Sequence, residues 1–87
     1  MNKALLTFSN GQTLELFEGQ KIITISKYVT DDAINVSQGP MYELWDHISA
    51  GMIPSVGELL CSCDFFQLLD NTDKMYSTSA VVTIENA

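Results

Sequence analysis

The sequence has no arginine, and its four lysines stand against eleven acids, leaving a formal charge of -7. Proteins that grip nucleic acid do so largely through Lys and Arg on phosphate. This deficit argues against direct nucleic-acid binding and against attraction to anionic membrane surfaces. Long apolar runs are also missing. Nothing approaches the roughly 18 residues of a membrane-spanning helix. The start of the chain offers one lysine and the short stretch Ala4-Leu5-Leu6, unlike a secretory leader. Cys61 and Cys63 are the only cysteines, and two residues apart they are too close for a useful disulfide. They read as reduced thiols of a cytoplasmic protein.

Catalytic and ligand-binding groups are equally sparse. Cys61, Cys63 and the single histidine, His47, make three potential ligands where a zinc site needs about four. Glycines 11, 19, 39, 51 and 57 are scattered, and none opens a phosphate-binding loop. A Cys–His pair would need an orienting group and an oxyanion hole, and no motif marks either. His47 follows Glu43 by four residues, the spacing of an exposed helical pair. Asp31-Asp32, Glu15 with Glu18, and Asp70 with Asp73 suit turns and a solvated surface, without the spacing of a calcium loop. No metal, no cofactor and no enzymatic activity are expected.

What is present is enough for one folded domain spanning residues 1–87. The apolar share is 46%, ordinary for a globular chain. Asn10-Gly11 is a strong hairpin signal. A three-residue loop, Ser9-Asn10-Gly11, pairs Leu6 with Leu14 and Ala4 with Leu16. It collects Ala4, Leu6, Phe8, Leu14 and Leu16 on one face, which a two-residue turn would split. Glu18-Gly19 marks the next turn. Lys21–Val29 reads as a third strand with Ile23 and Ile25 inward, its terminal lysines suggesting an exposed edge. Residues 30–38 read as a loop.

Two short helices are expected next. The first starts at Pro40, carries Met41, Leu44, Trp45 and Ile48 on one apolar face and ends at Gly51. The second is opened by Ser55 and Glu58 as a capping box, with Val56, Leu59, Leu60 and Cys63 on its buried face. A final hairpin runs from Asp64–Leu69 through a turn at Asp70–Asp73 into Met75–Ile84, where Ala80, Val82 and Ile84 alternate with Val81, Thr83 and Glu85. The expected class is therefore α+β. About five antiparallel strands form a curved sheet or small open barrel, with one or two short helices inserted between strands 3 and 4.

Aromatic residues exceed what so small a core can use. Trp45, Tyr42, Phe66, Phe17 and Tyr76 are the candidate partner-binding residues, since large aromatics anchor protein interfaces. Phe65 and Phe66 must point to opposite faces of a strand. The segments Phe8–Gly11 and Tyr76–Glu85 resemble small accessory proteins of Gram-positive phages and mobile elements, a group that includes inhibitors of host defence. That resemblance implies an inhibitory role and carries over no site residue. The expected function is a small acidic protein-binding module whose partner has a basic surface. The alternatives are an oligomeric binder of a small nucleotide-like ligand, or a structural interaction protein. A chain this short, without a disulfide, is also expected to self-associate as a homo-oligomer.

Overall fold

A computed structural model describes residues 2–29 and 31–87. Strands β1 (Lys3–Phe8) and β2 (Thr13–Phe17) form a hairpin in the expected register, with Leu6 opposite Leu14 and Ala4 opposite Leu16. The Phe8 N–H donates to the Gln12 carbonyl at 2.8 Å and the Gly11 N–H to the Phe8 carbonyl at 2.9 Å. Gly11 takes φ +87°, the left-handed conformation that closes a three-residue loop. Ala4, Leu6, Phe8 and Leu16 are buried together.

The remaining strands are β3 (Lys21–Val29), β4 (Ile34–Glu43), β5 (Phe65–Leu68), β6 (Asn71–Ser77) and β7 (Val81–Asn86). One helix, α1 (Ile53–Ser62), lies between β4 and β5, and a single 3-10 turn spans Thr78–Ala80. The strands build two antiparallel sheets, ordered β2-β1-β7 and β4-β3-β5-β6. This corrects the α+β expectation. The molecule is mostly β, at 57% strand against 15% helix, with seven strands and no closed barrel among the described residues. One buried cluster draws Leu6 and Leu16 from the first sheet, Ile22, Phe66 and Leu68 from the second, and Val56 and Leu59 from α1. Tyr76 stacks on Phe8 with ring centroids 5.4 Å apart and on Phe66 at 5.2 Å, so one ring joins the two sheets. No helix among the described residues is long and apolar enough to cross a membrane.

The expected loop at 30–38 and the expected helix after Pro40 are both replaced by β4. Thr30, where that loop was to begin, lies outside the described residues. Pairing of Ile23 with Met41 and of Ile25 with Gln38 leaves Gly39 and Pro40 as a bulge opposite Thr24. The Thr24 hydroxyl donates to the Pro40 carbonyl at 2.7 Å, and a Cβ on Gly39 would lie 2.7 Å from Thr24 Oγ1. The Gly-Pro pair therefore serves a close strand-to-strand approach, where an edge strand tolerates Pro's missing N–H. Beyond Glu43 the ladder continues: Leu44 N–H donates to the Gln20 carbonyl at 3.0 Å and its carbonyl accepts from Gly19 N–H at 2.8 Å. Long-range pairing thus overrides the helical spacing of Met41, Leu44, Trp45 and Ile48.

β3 has the expected bounds but lies inside its sheet, flanked by β4 and β5, and is not an edge. Ile22 joins the shared core and Thr24 is buried on the same face; Ile23, expected inward, is buried too, but on the opposite face and outside that cluster, where Ile25 is only half-buried. In β7, Phe8 pairs with Val81 and Thr7 with Thr83, so Val82 is the extra residue of a bulge. The bulge turns both Val81 and Ile84 toward the core and leaves Val82 exposed, breaking the expected alternation. The last hairpin turns at residues 69–70, earlier than expected, and β6 already begins at Asn71.

Candidate functional site

The candidate site is the segment from Leu44 to Ile53 together with Tyr42 and the first turns of α1. Ser55 and Glu58 do not cap the helix, whose N-cap is Met52 with no side-chain bond. They hold the aromatic residues instead. The Tyr42 hydroxyl donates to Glu58 Oε1 at 2.7 Å and accepts from Trp45 Nε1–H at 2.9 Å. The Trp45 backbone N–H donates to Oγ of the fully buried Ser55 at 3.0 Å. Burial foremost, with the Glu58 carboxylate adding to it, holds the Tyr42 phenol above its usual range; hydrogen bonds from Ser55 and Trp45 partly offset this. Tyr42 is thus a neutral bridging hydroxyl at ordinary pH.

Next comes a closed turn. His47 N–H donates to the Gly51 carbonyl at 2.7 Å, and Gly51 N–H returns a bond to the His47 carbonyl at 3.0 Å. Inside it, His47 Nδ1 accepts the backbone N–H groups of Ser49 at 3.2 Å and Ala50 at 3.1 Å. In accepting these bonds Nδ1 uses its ring lone pair. Asn86 at the end of β7 pins the turn from outside. Its Oδ1 accepts from Met52 N–H at 2.8 Å, and its Nδ2 donates to the Ala50 carbonyl at 3.0 Å. Gly51 takes φ +69°, and a Cβ there would come within 2.5 Å of Asn86 Oδ1, so only glycine fits.

The tip of this braced turn is Ile48, which is 99% exposed. Trp45 and Ile53, on either side, are 38% and 40% exposed. Glu43, Asp46 and Glu58 supply acids in the same stretch, and Asp46 Oδ1 is buried without a hydrogen-bond partner among the described residues. An apolar tip on a hydrogen-bonded base with acids beside it can seat in another protein's pocket. The expected His47–Glu43 helical pair is absent, since neither residue is helical and the His47 Nδ1 lone pair is used by the turn. Cys63 is buried, burial pushes its thiol pKa up, and its Sγ lies 3.4 Å from the Leu59 carbonyl, whereas Cys61 is exposed. No group of three or more His, Cys, Asp or Glu among the described residues could hold a metal ion.

The five expected partner-binding residues are therefore divided. Tyr42 and Trp45 come together in the site. Phe66 is fully buried and Tyr76 is held in the aromatic stack, so both serve the core. Phe17, 37% exposed, sits apart at the end of edge strand β2. In the sequence, Ile48 reads as part of the apolar face of a helix and His47 as the partner of Glu43, and Asn86 is not singled out. The one local signal was His47 followed by Ser49 and Gly51, a pattern of side-chain capping in turns. A separate cleft of about 210 Å³ runs beside Tyr76, Lys74 and Asn10. A more open cleft of about 330 Å³, lined by Gly19, Gln20, Lys21, Leu69 and Asp70, falls within the size range of small-molecule sites. Comparison with protein-family models, characterised proteins and solved structures gives no match.

Proposed function

We propose that the protein is a non-enzymatic docking module that inserts Ile48, flanked by Trp45, into an apolar pocket with a basic rim on another protein. The observation that carries this reading is the exposure of Ile48 at 99% on a turn closed by His47 and pinned by Asn86. A flexible loop would lose entropy on binding, whereas a braced turn has already met that cost in folding. The acids around it and the overall charge of -7 favour encounter with a cationic surface. Blocking a host protein is the form of this function that the resemblance to phage accessory proteins suggests.

The test is affinity capture from cells of the source organism with the wild type and with Ile48→Asp, followed by affinity measurement on the captured protein. An anchor of this kind contributes about 2 kcal/mol or more, roughly 30-fold in Kd. The variant is expected to fold normally, since Ile48 touches no core residue, and to lose the partner. Undiminished binding by Ile48→Asp would remove the turn from the interface.

A further inference from the structure

We propose that two copies of this chain associate by antiparallel pairing of their β4 edges over residues 32–38, about a two-fold axis at Asn35. The β3–β4 hairpin extends beyond its sheet, because β5 pairs with β3 only from Ile22 to Ile25. Residues 26–29 and 34–37 thus form a two-stranded ribbon. Such a ribbon is marginally stable in water and gains from a third and fourth strand. Its two edges are treated differently. On the β3 side the Lys27 N–H is capped by Asp64 Oδ2 at 2.8 Å. On the β4 side the usual guards against edge pairing, a proline and a bulge, occur only at Gly39-Pro40. Ile34–Gln38 lies clear of them.

Charge selects the occupant. The nine residues Ala33–Met41 contain no ionisable side chain, in a chain with net charge -7. A basic partner would find no carboxylate from Ile34 to Tyr42, whereas a second copy brings a segment as neutral and as apolar as the first. With the axis at Asn35, Ile34 of each copy lies opposite Val36 of the other. These side chains are 72% and 59% exposed in the single chain and lie on one face. β-Branched residues facing each other across strands stabilise antiparallel pairs. In this register Asp32 falls opposite Gln38 and Asp31 opposite Gly39, so no acid meets an acid. Each copy has one β4 edge, and the two-fold contact consumes both, so assembly stops at two.

The mass in solution, measured by light scattering across a concentration series, is expected to rise toward twice the 9.6 kDa of one chain. Ile34→Lys with Val36→Lys in one chain sets like charges opposite each other twice, and should weaken association about tenfold or more. Ile34→Lys with Val36→Glu sets opposite charges in the same positions and should restore it. Ile48→Asp should leave the dimer intact, which separates this contact from the docking turn. A wild type that stays monomeric, larger assemblies, a dimer indifferent to the double lysine variant, failure of the Lys–Glu variant to restore pairing, or loss of the dimer in Ile48→Asp would each overturn the proposal. Circular dichroism on each variant confirms that the fold is retained.

Discussion

β1–β2 and β3–β4 are both antiparallel hairpins rich in aliphatic residues, yet they spend those residues differently. In the first, Ala4, Leu6, Phe8 and Leu16 are buried, and β7 covers the open edge of β1. In the second, Ile22, Ile23 and Thr24 are buried near the base, while Ile34 and Val36 stand in solvent and, among the described residues, β3 is the one sheet neighbour of β4. The difference follows from what lies across each hairpin. Both sheets and α1 close over the inner face of β1–β2, but β5 ends opposite Ile25, and the outer half of β3–β4 meets no second layer. Apolar area removed from water stabilises the fold; apolar area left outside remains free to drive association.

The largest expected effect separates the two hairpins by stability. Leu6→Ala should cost about 2–5 kcal/mol, because the neighbouring strands and α1 cannot collapse fully into the space left. Val36→Ala, measured at a dilution that keeps the chain monomeric, should stay within about 0.5 kcal/mol. Urea unfolding of the two variants checks this. Similar losses would mean that the outer hairpin is part of the cooperative core, and the contrast would fail.

The same contrast explains what could be read from the sequence. The first hairpin was legible to the residue because one face is buried, and a one-residue slip would turn Leu6 and Leu16 outward. The buried face of α1 was legible for a similar reason: Val56 and Leu59 recur at helical spacing and meet a core. β4 was not legible. Its uncharged polar residues carry no alternation, since only one edge and part of one face are engaged, and its strand conformation is imposed by pairing with β3. Met41, Leu44, Trp45 and Ile48 happen to match a helical period, yet only Leu44 is buried. In the candidate site, Tyr42 and Trp45 were visible as surplus aromatics. The helical spacing hid Ile48 on a face that does not exist, and Asn86 lies too far along the chain to be linked to Ala50 and Met52 by pattern.

A smaller effect probes the point where the hairpin leaves the body. Asp64 N–H donates to the Ile25 carbonyl at 3.0 Å, and its carboxylate accepts from Lys27 N–H at 2.8 Å. Asp64→Ala keeps the first bond and removes the second. Global stability should fall by about 0.5–1.5 kcal/mol. Amide exchange should accelerate at Lys27 and Tyr28 and stay unchanged at Leu6, because local opening of the ribbon does not require the core to open. Unaltered exchange at Lys27 would show that β4 alone holds the ribbon in place.

The smallest effect concerns pH and is confined to the body side of this junction. Burial, above all, raises the Cys63 thiol pKa, with the Asp64 charge adding to it and hydrogen bonds at Ile25 and Ser62 working against it. The folded chain therefore holds the thiol proton more tightly than the unfolded chain does. Linkage then fixes the sign: this contribution is fully present below the unfolded thiol pKa and is lost as pH rises from there through the folded one. Tyr42, raised mainly by burial, adds a second decline at still higher pH. Urea midpoints should be level through neutral pH and fall on the alkaline side. Cys63→Ala should remove the first part of that fall while Val36→Ala leaves it in place, since the outer ribbon buries no thiol. An unchanged alkaline limb in Cys63→Ala would mean that another group, and not the one beneath the hairpin's base, sets the alkaline stability of the fold.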